Sequence, residues 1–406
     1  MSEKSDSVIA EDEDAQENQL NEKWKKLPNI KVLSMDYNQN NSLLVLGTNY
    51  GYRIFDVVNN FQLLSTVDDS QKDLGPLKLC KILYKSPLLG FIGAKENQRF
   101  KENSLYIYSD EYKKILSKLT FNQNIKDFYI SSSLLFVCFL SNIYVFELYS
   151  MKFMHNIPHC FFGEKLFSVV EDPLEEFDDE EFTCTNKVIT IAYIASYQNN
   201  IKIQRYIINK NIPSYVVKGD LNSDFTGCPK MIKLVKGLKI LVLSKNGNKL
   251  HIYDYVNNNL IYWLFLGKGT FDINNINLGI KNKFLMFYYN MSQIDVIKMD
   301  KEKDKVKCEC YKYPDGESAN KFGYKRLHTF DFRSKSKIEN SNIYSSCTIL
   351  NKKGWNIFCC QFDPKKKDII NVVNNGGFLT VYQFDRKEKG DKFKTLNNIC
   401  LFEEDK

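Results

Sequence analysis

The chain has little of what metal and acid–base chemistry use: four histidines, His155, His159, His251 and His328, in 406 residues. His155 and His159 have the spacing of a helical metal pair, but Pro158 between them argues against a helix. No G-x-S-x-G, P-loop or G-x-G-x-x-G occurs and no motif pairs the carboxylates, so catalysis is not expected. The eleven cysteines include no C-x-x-C, and their closest pairs are Cys308/Cys310 and Cys359/Cys360. Structural zinc, which wants two close pairs, is therefore not expected, nor is any other cofactor. Most cysteines sit in apolar runs, as Cys138 does in Leu134-Leu-Phe-Val-Cys-Phe-Leu140, and read as buried free thiols of a reducing compartment. Long hydrophobic runs are missing too, which excludes a membrane-spanning helix of about 18 apolar residues. Met1 to Glu17 is acidic and polar, unlike a secretory signal or transit peptide. A cytoplasmic chain is the expectation.

What is there is strand. The formal charge of +7 is modest and permits attraction to anionic surfaces without requiring it. Aromatic and β-branched residues recur between clusters of Asn, Gly, Asp and Ser, and helical periodicity is scarce. One strand type returns seven times: Gly51–Asp56, Ser104–Ser109, Asn142–Glu147, Ile201–Tyr206, Lys249–Asp254, Gln293–Lys298 and Phe378–Asp385. Copies lie roughly 40 to 60 residues apart with a longer final gap, the range of propeller blades. An apolar strand and a tight polar turn precede most copies, as in Ile240–Leu243 followed by Ser244–Gly247, which reads as an antiparallel hairpin. Many of these strands are apolar on both faces, which blades stacked around an axis require and a sandwich edge does not. The expected fold is an all-β, seven-bladed, WD40-like β-propeller of four-stranded antiparallel blades. The aromatics fall at core spacing and the basic clusters, such as Lys365–Lys367, in turns, so nucleic-acid binding is not expected.

Three segments interrupt the repeat. Residues 1–26 are charged and read as a disordered acidic tail. An acidic insertion near 171–182 and a long polar sixth-blade loop near 300–342 read as exposed parts of one propeller domain, 27–406.

Met35-Asp-Tyr-Asn-Gln-Asn-Asn-Ser-Leu-Leu-Val-Leu-Gly-Thr-Asn-Tyr-Gly-Tyr-Arg-Ile-Phe55 resembles the first-blade signature of the PROPPIN (WIPI) family. Val137 to Ile157, with its Met-Lys-x-x-His-x-Ile element, resembles that family's third blade, and Asn375 to Asp385 its last. The resemblance runs in order from Leu33 to Asp385. It implies a scaffold that recognises phosphatidylinositol 3-phosphate or 3,5-bisphosphate through a Phe-Arg-Arg-Gly tetrad, whose arginine forks bind phosphate. Here the tetrad position falls on Leu264-Phe265-Leu266-Gly267, with Lys268 following, so Phe265 and Leu266 stand where the arginines belong. Ser244 matches a family serine, His251 replaces an arginine, and Asp295 replaces a histidine. Losing two charge-assisted contacts of roughly 1.5–3 kcal/mol each weakens lipid binding by about 100-fold or more. Lys245, Lys249 and Lys268 return only about 1 kcal/mol each near an anionic surface.

Three readings stay open. One is a PROPPIN-like scaffold of autophagy and phosphoinositide-marked membrane traffic, joining membrane to a lipid-transfer or conjugation-machinery protein. The second is a propeller for protein partners alone that has lost lipid recognition. The third is lipid binding through a shifted basic patch.

Overall fold

The computed structural model describes residues 30–67, 74–158, 166–173, 187–195, 201–209, 212–221, 229–236, 239–265, 273–279, 284–289, 293–299, 324–331, 357–366, 368–374, 377–384 and 393–402. Its strands form seven four-stranded antiparallel sheets, each a meander in chain order, spanning 32–66, 77–120, 127–158, 167–220, 231–265, 273–331 and 357–400. The architecture is an all-β propeller with four-stranded antiparallel blades. Every repeat strand read from the sequence is the third strand of its sheet, from Tyr52–Asp56 in the first to Phe378–Phe384 in the last. First strands of neighbouring sheets approach one another and line the axis, and fourth strands form the perimeter.

Burial explains why the chain folds this way. The second strand of the first sheet, Leu43–Thr48, is buried along its whole length, as is Leu134–Cys138 in the third. A strand covered on both sides has a neighbouring sheet on each face, and apolar clusters fill those seams. Leu43, Val45, Tyr52 and Ile54 pack with Leu77, Leu89, Phe91 and Tyr108 of the second sheet. Val32, Leu44, Leu46 and Phe55 pack on the other side with Val373, Leu379, Leu401 and Phe402 of the seventh.

The hairpins from third to fourth strand repeat a local device. Asp56 Oδ1 accepts from Val58 N (2.9 Å), and Asp254 Oδ1 accepts from Val256 N (2.9 Å). Asn59 and Asn257 donate their side-chain amides to the same aspartates, at 2.9 Å in each case. The carboxylate holds the turn backbone as a short Asx loop does. A positive-φ residue then re-enters the fourth strand: Phe61 (59°), Lys113 (47°), Met151 (53°) or Asn258 (55°).

Two sequence boundaries move. Glu171, Asp172 and Pro173, read as the start of the acidic insertion, complete the strand Phe167–Pro173. Glu171 is only 4% exposed: its carboxylate accepts from Ser132 N (3.0 Å) and from the Ser132 hydroxyl, and lies 3.5 Å from Lys187 Nζ. A charge can be buried there because two donors and a cation meet it. Tyr324–Asp331, inside the stretch read as a polar loop, is the fourth strand of the sixth sheet. The acidic tail 1–26, residues 174–186 and most of 300–342 lie outside the described residues.

Candidate lipid and partner rim

The turn that carries the first-blade signature is a staple across three sheets. Gln39 Nε2 donates to the carbonyls of Ile130 (2.7 Å) and Ile82 (3.2 Å), and Gln39 Oε1 accepts from Tyr84 N (2.6 Å). Asn38 Nδ2 donates to the Tyr84 carbonyl (2.9 Å) and Ser42 Oγ (3.0 Å), while Asn38 Oδ1 caps Ser42 N (2.8 Å). One amide thus satisfies backbone groups of the second and third sheets from a turn of the first. The motif's chemistry is structural at this point, and it fixes the relative tilt of three blades.

Deeper in, the axial strands exchange charge. Lys81 bridges Asp127 (2.8 Å) and Asp36 (3.3 Å), linking the second sheet to the third and first. Burial works to lower the Lys81 ammonium, but the combined charges and hydrogen bonds of Asp127 and Asp36 hold it above the ordinary lysine value. Around the axis, Ser168 Oγ accepts from Leu234 N (3.0 Å), and Lys233 Nζ donates to Asn277 and to Asn275 (3.3 Å). At the perimeter, Asp110 collects the Tyr52 hydroxyl, the Ser65 hydroxyl (2.6 Å) and Lys113 Nζ (2.6 Å), tying the first sheet to the second. Between the third and fourth sheets, His155 Nε2 meets the Tyr206 hydroxyl at 2.9 Å, from the strand Phe153–Pro158 rather than from a helix. Among the described residues no group of three or more His, Cys, Asp or Glu could hold a metal ion.

The tetrad position lies at the end of the fifth sheet's fourth strand, Asn259–Phe265. Leu264 stands opposite Leu250, and Phe265 opposite Lys249. Leu266, Gly267 and Lys268 fall outside the described residues. Ser244 opens the adjoining turn, where its hydroxyl donates to Asn248 Oδ1 and accepts from Lys249 N, both at 3.0 Å. Gly247, at φ 70°, closes that turn, with its N–H on the Ser244 carbonyl (2.8 Å). His251 sits on the third strand, opposite Trp263, with Nδ1 3.0 Å from the Tyr253 hydroxyl. The fold therefore brings Ser244, Lys249 and Phe265 together at one corner, with His251 two residues along the same strand. Lys245 and Lys249 are exposed there. The lysines of this corner carry point charges and lack the planar fork with which a guanidinium binds phosphate. Asp295 is on the sixth sheet's third strand, opposite Phe287 and Thr329.

Sequence reasoning missed Glu171 and the work of Gln39. An acidic run starting directly after Phe167-Ser-Val-Val170 carried one signal, the unbroken strand leading into it.

The class is a β-propeller, and the relatives narrow it. No protein-family profile matches the chain. Autophagy-related protein 18e of Arabidopsis thaliana is 26% identical over 124 residues, 30% of this chain and 32% of that protein. Autophagy-related protein 18 of Saccharomyces cerevisiae is 24% identical over 123 residues, 30% of this chain and 23% of that protein. The chain thus matches less than a third of the length of these curated relatives. Among solved structures, Kluyveromyces lactis Hsv2 superposes with a TM-score of 0.62 at 13% identity, over 92% of this chain and all of that one. A complex of KlAtg21 with the coiled-coil of AgAtg16 gives 0.59 at 14% identity, over 91% of this chain and 99% of that one. The chain is a homologue of the PROPPIN proteins. Among the described residues no helix is long and apolar enough to cross a membrane.

Proposed function

We propose that the protein is a PROPPIN-like scaffold of autophagy-type membrane traffic that works through protein partners while its phosphoinositide corner is degenerate. In this reading the seven sheets are the blades of one closed, WD40-like ring, and 27–406 is a single domain. The chain acts in the cytoplasm and associates peripherally with autophagic or endosomal membranes, with a lipid-transfer or conjugation-machinery protein as partner. The observation that carries this is the homology to autophagy-related protein 18, joined to likeness in fold along nine-tenths of the chain. The KlAtg21 structure, solved with the coiled-coil of AgAtg16, supports a protein partner for a propeller of this shape. The scaffold does no chemistry of its own.

The second reading, a propeller that has lost phosphatidylinositol 3-phosphate altogether, draws support from the fifth-sheet corner. Ser244 spends its hydroxyl on its own turn, His251 is engaged with Tyr253, and Phe265 is the register partner of Lys249. Vesicle flotation of the purified chain, with and without phosphatidylinositol 3-phosphate, separates the two. Flotation that needs the phosphoinositide supports residual lipid recognition at the membrane. Its absence, with gain in a Phe265→Arg, Leu266→Arg variant, supports a frame kept for protein partners. If neither protein floats and a Ser244→Ala variant behaves identically, assignment of this corner as a lipid site is wrong.

A further inference from the structure

We infer that the rim of the propeller is built to refuse an added strand, whether from a second copy of this chain or from an extended peptide. Each fourth strand is the outer member of its sheet and is hydrogen-bonded to the third strand on one side. Its other side carries backbone N–H and C=O groups, the kind of row on which a further strand pairs. In all seven sheets that row is broken at the same place. In the first, Ile54 stands opposite Ser65 and Phe55 opposite Leu63, so Leu64 is one residue in excess. In the second, Ile107 is opposite Ser117 and Tyr108 opposite Ile115, which leaves Leu116 over. The other five repeat the pattern, from Met154 in the third sheet to Leu396 in the seventh. Each extra residue is a β-bulge on the outer strand, shortly after the hairpin.

A bulge bends its strand, raises the local twist and leaves the extra residue out of the ladder, so a straight incoming strand falls out of phase there. Lys114–Thr120 is thereby cut into two residues before Leu116 and four after it. Packing does not account for the extra residues: Leu64 is 52% exposed, Leu116 50% and Leu396 42%. A bulge kept to fill a seam would bury its side chain, as Met154 in part does against the seam of the third and fourth sheets. Other features of these strands act the same way. Ile212–Asp220 has Pro213 beside its bulge, and Pro158 ends Phe153–Pro158; proline has no N–H to offer a partner. Lys114 and Lys118 are exposed on the second sheet's edge, where charge discourages pairing. A protein partner then meets this propeller at its loops and at the seams between sheets, and not by lengthening a sheet.

The test compares the full chain with variants lacking Leu64 alone or Leu116 alone. Each deletion removes the extra residue and leaves the register on either side intact. In sedimentation velocity the unmodified chain is expected to stay a single copy across a dilution series. The Leu116 deletion is expected to form dimers, with hydrogen exchange slowed in Lys114–Thr120 and unchanged in Leu134–Cys138. A synthetic peptide with the sequence of Lys114–Thr120 should bind that variant and not the unmodified chain. Leu116→Ser keeps the bulge and removes the apolar side chain, so it should behave as the unmodified chain does. A deletion variant that matches the unmodified chain in circular dichroism and urea midpoint, yet neither self-associates nor takes up the peptide, overturns the inference. Self-association of the unmodified chain that Leu116→Ser abolishes also overturns it, because the exposed leucine and not the edge would then be the contact. If neither deletion folds, the unmodified chain decides: peptide uptake with slowed exchange in a fourth strand overturns the inference, and its absence upholds it.

Discussion

Gln39 shows how much one amide can organise. Its three bonds reach the backbone of the second and third sheets, and no shorter or charged side chain reproduces two donors and one acceptor at that spot. Gln39→Leu is expected to lower stability by about 2–3 kcal/mol in urea unfolding, since it leaves part-buried backbone groups without partners. Gln39→Glu should be no better, because it sets carboxylate oxygen against two carbonyls. Asp110 gives the pH counterpart. Burial pushes its carboxyl up, but hydrogen bonds from Lys113, Ser65 and Tyr52 and the Lys113 charge outweigh that and hold it below its ordinary value of 3.8. A depressed folded-state value means stability that is present above the unfolded value and is lost as pH falls through the folded one. The gap in urea midpoint between the unmodified chain and Asp110→Asn should therefore be constant from neutral pH down to about pH 5. It should shrink below about pH 4. A gap that does not change with pH would mean that the carboxylate charge adds nothing to this junction.

Among elements, the third strands were legible because their alternating aromatic and β-branched residues are buried on both faces. Tyr106 and Tyr108 sit on one face of Ser104–Ser109 and Leu105 and Ile107 on the other, all of them buried. The hairpin before that strand depends on a feature that the pattern does not display. Gly93 ends the strand Leu88–Gly93, and a Cβ there would stand 1.9 Å from the Phe100 carbonyl oxygen. Phe100 is itself locked by edge contacts to Phe91 (5.1 Å) and Tyr106 (4.9 Å). Gly93→Ala should cost about 3 kcal/mol in urea unfolding, because relief requires moving backbone rather than a side chain. Lys245→Ala, in the exposed turn before the fifth sheet's third strand, is the neutral comparator and should stay within about 0.5 kcal/mol of the unmodified chain. Glu171 was not legible because its partners, Ser132 and Lys187, are remote in the chain or across a hairpin, and charge density alone reads as solvent-facing. The candidate corner was legible only as a register, and the structure puts Leu264 and Phe265 at the end of a fourth strand. What Ser244 and His251 do with their hydroxyl and imidazole groups is decided by the shape of the turn and the pleat of the strand, which residue identity alone does not display.

At the scale of the molecule, each sheet takes its four strands from one continuous stretch, so among the described residues no strand is exchanged between first and last sheets. Side-chain packing must then carry the seam between them. Phe402 is 3% exposed there, beneath the Arg53 guanidinium at 5.5 Å, and packs in one cluster with Leu44, Phe55 and Val373. Gly377, at φ 77°, makes room for it: a Cβ would lie 2.1 Å from the ring. Leu401, just before the ring, is fixed as well, with its N–H on the Gly377 carbonyl at 2.9 Å and its own carbonyl accepting from Arg53 at 3.4 Å. Phe402→Ala should remove about 3–5 kcal/mol, the usual cost of a large buried ring replaced by a cavity. The distribution of that loss distinguishes a closed ring from an open stack. In a closed ring, hydrogen exchange should quicken in both Leu43–Thr48 and Ile369–Asn374, near opposite ends of the chain, while Leu134–Cys138 in the third sheet keeps its protection longest. In an open stack, quickening would stay within the seventh sheet, and Leu43–Thr48 would exchange as it does in the unmodified chain.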